Sequence, residues 1–69
     1  MPDDASPVRS ARTRAGLRQA DLAAAVGVSR QTIVSLERGD YSPSVYLALR
    51  IARSLDSTVE ALFPLPEES

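Results

Sequence analysis

The run Leu22-Ala23-Ala24-Ala25-Val26-Gly27-Val28-Ser29-Arg30-Gln31-Thr32-Ile33 narrows the possible folds more than any other part of the chain. Leu22, Ala23 and Val26 stand at i, i+1 and i+4, which is one face of a helix. Gly27 follows, the residue type that adopts a tight positive-φ turn without steric cost. Val28 offers an apolar contact at the junction, and Ser29 is a good N-cap for a second helix. In that helix Ile33 and Leu36 fall at i and i+3 and point inward. Arg30, Gln31, Val34, Ser35 and Arg38 are left on the outer faces, and Gly39 supplies the stop. Two short helices joined through a glycine turn form a helix-turn-helix.

The remaining sequence reads as three more helices around this pair. Helix 1 is expected from Val8 to Ala15, with Gly16 as its left-handed end. Helix 2 covers Gln19 to Val26. Asp21 in its first turn suits the helix dipole, but Arg18 stands where a capping Ser, Thr or Asn is expected. Helix 3 runs from Arg30 to Arg38. Ser42 as N-cap with Pro43 at the first helical position is expected to open helix 4, with Val45, Leu47, Ala48, Ile51, Ala52 and Leu55 as its buried stripe. Asp56 fits the αL position that ends it. Thr58 caps a short helix 5, Val59 to Phe63. Residues 1–7 are polar, contain two prolines and read as disordered. Residues 64–69 read as a short extended tail. With no strand signal, the fold class is all-α: five helices in one domain, residues 8–63.

Composition closes off other classes. A chain of 69 residues is marginal for one small core and gains from a disulfide, a metal or an oligomer. It has no Cys and no His, so disulfides, the usual metal clusters and the usual general base are absent. A homodimer is the remaining expectation. No apolar run approaches the length of about 18 residues that a membrane span needs, and the N-terminus lacks the pattern of a signal peptide. The expected location is cytoplasmic, with no cofactor and no metal. Nothing supports catalysis, so the chain is not expected to be an enzyme.

The formal net charge of −1 hides a segregation. Residues 8–54 hold all eight arginines against three carboxylates, a net +5, while residues 1–7 carry −2 and residues 55–69 carry −4. A positive centre suits phosphates. Every cation is Arg, whose planar fork matches phosphates and base edges. The N-terminal residues of the second helix of such a motif enter the DNA major groove. Arg and Gln are shaped for bidentate contacts to guanine and adenine edges. Double-stranded DNA is therefore the expected partner.

Several segments in order resemble the lambda- and 434-repressor-like family, the Cro/C1-type or XRE-type helix-turn-helix regulators. They are Gly16-Leu17-Arg18-Gln19-Ala20-Asp21-Leu22-Ala23, Val26-Gly27-Val28-Ser29-Arg30-Gln31-Thr32-Ile33, Leu36-Glu37-Arg38-Gly39, Tyr41-Ser42-Pro43-Ser44 and Leu47-Ala48-Leu49-Arg50-Ile51-Ala52. The match spans about residues 8–63 and is similar to minimal stand-alone dimeric repressors of the cytolysin-operon repressor type. The resemblance implies that Arg30, Gln31 and Ser35 read bases, with Val34 beside them able to meet a thymine methyl. It implies backbone contacts from Gln19, Thr32, Arg38, Tyr41 and Ser42. It also implies an internal salt bridge between Arg12 and Glu37. Asp40 departs from the family, where Lys is frequent, and removes a phosphate contact. Asp56 and Ser57 depart at a seam where Gly or Asn and then an apolar residue are frequent.

Leu49 lies off the helix 4 stripe, and a short helix 5 cannot bury all its apolar groups. Leu49, Phe63 and Leu65 are therefore the candidate dimer contacts. Arg9, Arg14 and Arg18 fit backbone steering and plain solubility equally, and Arg50 and Arg53 read as solvated surface. The leading functional reading is a homodimeric repressor on a near-palindromic operator. The alternatives are an antitoxin-type DNA-binding protein with a toxin partner, an activator or phage-type controller, and a protein-interaction module without DNA binding.

Overall fold

The computed structural model describes residues 6–65, and over these the chain forms five α-helices with no strand. They are α1 (Pro7–Arg14), α2 (Gln19–Val26), α3 (Arg30–Arg38), α4 (Val45–Ser54) and α5 (Val59–Leu62). The order and number match the sequence-based expectation. Two helix starts do not.

Both corrections concern a Ser-Pro pair. The expected disorder of residues 1–7 does not extend to Ser6 and Pro7, because Ser6 caps α1. Its hydroxyl accepts from the Arg9 N–H at 3.1 Å, and Pro7 takes the first helical position, where its missing N–H costs nothing. Residues 1–5 lie outside the described part. Ser42-Pro43, expected to open helix 4, lies instead in the preceding loop. Ser44 is the cap, its Oγ accepting from the Leu47 N–H at 3.1 Å. Leu47, Ala48, Ile51, Ala52 and Leu55 are the buried stripe, and Val45 stands at the first helical position, before the stripe begins. Val45 is 77% exposed and is not part of that stripe.

Four helix ends share one device. After each of α1 to α4 a residue turns into the left-handed region: Gly16 (φ 77°), Gly27 (80°), Gly39 (84°) and Asp56 (54°). The next N–H then reaches back five residues. Leu17 bonds Arg12 O (3.1 Å), Val28 bonds Ala23 O (3.0 Å), Asp40 bonds Ser35 O (2.9 Å) and Ser57 bonds Ala52 O (2.8 Å). This is the Schellman closure, and it stops each helix where the chain must turn back on the core. Asp56 is the only non-glycine among the described residues with positive φ, a conformation Asp tolerates.

Leu22, Ile33, Ile51, Val8 and Val26 are the largest fully buried side chains and come from α1 to α4. Leu62 seals the base from α5, with Leu17, Val28, Val59 and Phe63 packed around the edge. Phe63 falls just beyond α5 rather than inside it. Among the described residues no helix is long and apolar enough to cross a membrane.

Candidate nucleic-acid interface

The helix-turn-helix is held from within. Gly27, Val28 and Ser29 alone separate α2 from α3. Val28 packs against the core, while Ser29 Oγ accepts from the Thr32 N–H at 3.2 Å and meets the Thr32 hydroxyl at 3.0 Å. Ile33 and Leu36 sink one face of α3 into the core. The opposite face keeps Arg30 and Gln31 exposed in the first turn, with Val34 and Ser35 half-buried one turn on. The four residues to which base reading was assigned thus form one continuous strip.

Arg12 on α1 grips Glu37 on α3 with two bonds, Nε to Oε2 at 2.6 Å and Nη2 to Oε1 at 3.2 Å. Its third nitrogen donates to the Leu17 carbonyl at 2.8 Å. The Glu37 side chain is only 5% exposed, so its charge depends on these partners. Gln19 joins the same cluster by donating from Nε2 to Glu37 Oε1 at 3.2 Å. The side chain proposed for a phosphate has therefore committed one N–H inward. What stays open at the start of α2 is its second amide hydrogen and the first-turn backbone N–H groups, which favour anions. A surface concavity lined by Arg9, Arg12, Gln19, Val34, Glu37 and Arg38 lies over this cluster.

Arg38 is not a free cation. It pairs with Asp40 at 3.4 Å, both side chains well exposed. Asp40 thus does more than stand in place of a family lysine, because it also engages Arg38, to which the resemblance assigns a backbone contact. Tyr41 and Ser42 are exposed in the loop that follows. Thr32 is half-buried beside the Ser29 cap.

The start of α2 has its own clasp. The Arg18 N–H donates to Asp21 Oδ2 at 2.9 Å, and Arg18 Nε reaches the same oxygen at 3.2 Å. The backbone bond first, and the guanidinium second, hold the Asp21 carboxyl below its ordinary value. The weak cap expected at Arg18 is offset from the third helical position, as in half of a capping box. All three carboxylates of residues 8–54 therefore sit on arginines: Asp21, Glu37 and Asp40. Among the described residues Arg30 has no ion-pair partner, so its charge is available to a ligand.

Two features escaped the sequence reading. Arg50, expected on a solvated surface, donates from Nη1 to the Val26 carbonyl at 3.1 Å. Its target lies 24 positions back in the chain, and no local pattern signals such a bond. The outer side of α4 also exposes Val45 and Tyr46 beside the expected Leu49, with the exposed arginines Arg50 and Arg53 set between them. Of the candidate dimer residues, Leu49 is 52% exposed and Leu65 90%, whereas Phe63 is half-buried against the core. Residues 66–69 of the tail lie outside the described part.

This geometry defines a class, the DNA-binding helix-turn-helix domains. A family model described as "Helix-turn-helix" matches residues 8–62, and the chain belongs to that family, in its Cro/C1 (XRE) type. An uncharacterized HTH-type transcriptional regulator of Methanothermobacter thermautotrophicus is 52% identical over 62 residues, covering 88% of this chain and 90% of that protein. The HTH-type transcriptional regulator YgzD of Bacillus subtilis is 44% identical over 62 residues, covering 90% and 94%. Among solved structures, the restriction-modification controller protein C.AhdI of Aeromonas hydrophila superposes with a TM-score of 0.76 at 35% identity, covering 83% of this chain and 86% of that one. The clp gene regulator ClgR of Corynebacterium glutamicum gives 0.76 at 30% identity, and the match spans 60% of its length. The fold is lambda-repressor-like, and the chain is a DNA-binding transcriptional regulator of the HTH type rather than an enzyme.

Proposed function

We propose that the protein is a homodimeric repressor that binds a near-palindromic operator through the major groove. The observation that carries this reading is the first turn of α3. Arg30 and Gln31 are exposed there beyond a Ser29 cap, while Ile33 and Leu36 lock the same helix into the core. Arg30 suits the O6 and N7 atoms of guanine, and Gln31 suits adenine. Ser35 extends the strip, and Val34 meets a thymine methyl at its edge. Thr32, Arg38, Tyr41, Ser42 and the start of α2 at Gln19 follow the phosphates and set the register.

The dimer reading draws on exposed apolar area. Val45 and Tyr46 both neighbour Leu49 on the helical surface, and Leu65 lies bare beyond α5. Contiguous patches of this kind on a small soluble domain mark interaction sites. We assign Leu49 and Leu65 to the dimer contact, with Phe63 supporting from the core edge. A two-fold dimer sets its recognition helices about 34 Å apart, one DNA turn. Repression follows from occupying a promoter, in the compartment that holds the DNA.

Fluorescence-anisotropy titration tests this, using DNA from upstream of the protein's own gene and random duplex at two salt concentrations. Arg30→Ala and Gln31→Ala are each expected to lose about 1–3 kcal/mol on the upstream DNA and little on random duplex. Equal losses on both DNAs would overturn base reading. Transcription in vitro from the same fragment gives the sign of regulation.

A further inference from the structure

The bond from Arg50 to Val26 lies outside every role assigned so far. The last four carbonyls of a helix have no partner within the helix. In α2 the Ala23 carbonyl is taken by the Gly27 and Val28 N–H groups. The last turn of α2 contains no basic residue to offset the negative end of the dipole. Arg50 supplies that charge from α4, with Nη1 on the Val26 carbonyl at 3.1 Å. A Cβ at Gly27 would stand 3.4 Å from the same nitrogen, about van der Waals contact, so it is the φ of 80° rather than space that calls for glycine. The arginine side chain borders two surface hollows, one with Ala24 and Ser54, the other with Val28 and Tyr41, and both reach Val26 and Gly27.

We infer that Arg50 is a positioning residue of the DNA interface: it fastens the C-terminal end of α2 to α4 and so sets the angle at which α3 meets the groove. The turn allows little slack. Only Gly27 and Val28 separate the anchored Val26 from the Ser29 cap, and Arg30 follows directly. A change in the direction of the Val26 peptide is passed into the first turn of α3, where a displacement of about 1 Å is enough to lose well-oriented contacts. The inference rests on the assignment of Arg30 and Gln31 to base reading, but the anchor itself can be examined without DNA.

Two arms test it on the full chain, with Arg50→Met keeping the apolar stem and Arg50→Lys keeping a donor. In the first arm, amide hydrogen exchange is followed by NMR. Arg50→Met is expected to speed exchange at Gly27 and Val28 by about three- to tenfold beyond the change at the most protected core amides, and Arg50→Lys to restore part of the protection. Exchange that changes equally everywhere, or not at all at the turn, overturns the anchor. In the second arm, affinity for upstream DNA and for random duplex is measured against salt. Arg50→Met is expected to reduce the ratio of specific to random binding about tenfold with the salt slope unchanged. A slope reduced by about 1 with equal loss on both DNAs makes Arg50 a phosphate contact and overturns the positioning role. If the wild-type chain itself shows no preference for any DNA, base reading fails, and the exchange arm still decides the anchor.

Discussion

Helices α3 and α4 are built alike and face outward differently. Each opens on a serine whose hydroxyl accepts from the N–H three residues on, each buries an apolar stripe, and each closes through a left-handed residue with a bond five positions back. The outer face of α3 carries Arg30, Gln31, Val34, Ser35 and Arg38, while that of α4 carries Val45, Tyr46 and Leu49 among Arg50 and Arg53. Capping and core packing are thus the common cost of making a helix here, and they say nothing about its role. Role is written on the face that the core does not use. A face of forked polar side chains suits base edges and phosphates, and one that bares large apolar side chains between its charges suits another protein surface.

The comparison is most exposed to failure at Glu37, which ties α3 to α1. Glu37→Ala leaves Arg12 half-buried without its carboxylate and frees Gln19. The expected loss is about 2–4 kcal/mol in urea unfolding, a large share of what so small a domain has. Replacing both partners, Arg12→Met with Glu37→Leu, is expected to recover most of it. A loss under about 1 kcal/mol for the single variant would make the pair an ordinary surface bridge.

Next in size is the apolar face of α4. Leu49→Glu is expected to weaken self-association at least about tenfold in sedimentation equilibrium, roughly 1.4 kcal/mol, with the unfolding midpoint of the separated chain unchanged. An unaltered association constant would remove α4 from the interface and leave the contrast between the two helices without its functional meaning.

The helix ends offer a finer comparison, because α3 closes on Gly39 and α4 on Asp56. Asp56→Gly is expected to stabilise the domain by about 0.5–1 kcal/mol, since it relieves the left-handed strain of a residue with a Cβ. Gly39→Ala is expected to cost a similar amount. Nothing lies within 4 Å of the added Cβ, so the penalty is backbone strain alone. Thermal unfolding reads both, and equal midpoints for Asp56→Gly and wild type would contradict the strain.

A smaller effect is expected on the outer face of α3. Asp40→Asn frees Arg38 from its 3.4 Å partner and should tighten binding to any duplex by less than about 1 kcal/mol while steepening the salt dependence. Unchanged affinity would show that Arg38 faces no phosphate.

The smallest concerns pH. The folded Asp21 carboxyl titrates below its ordinary value because of Arg18. Its contribution is therefore fully present above the usual aspartate range, about 3.9, and is lost as pH falls through the lowered folded value. In Asp21→Asn that part of the acid dependence should vanish, which a side-chain NMR titration and acid unfolding would detect.

Much of this molecule could be read from short stretches of chain. Gly27, Ser29 and the spacing of Ile33 and Leu36 act through local sterics and capping, so the helix-turn-helix and the bounds of α2 and α3 follow from the sequence alone. Asp56 in the left-handed region follows for the same reason. The pairing of Arg12 with Glu37 needed the family resemblance, since no local rule joins residues 25 positions apart. Other features waited for the assembled core. Ser6-Pro7 and Ser42-Pro43 carry the same capping signal, and only the structure tells that the second pair lies in a loop, with Ser44 as the cap and Val45 facing out. Arg50 on Val26, Gln19 on Glu37 and Arg38 on Asp40 are choices among partners that become neighbours only when helices meet or a loop turns. Caps and left-handed turns act within a few residues, whereas the choice between neighbouring caps and the partner of a side chain depend on what the tertiary structure brings together, within about 3 Å for a hydrogen bond.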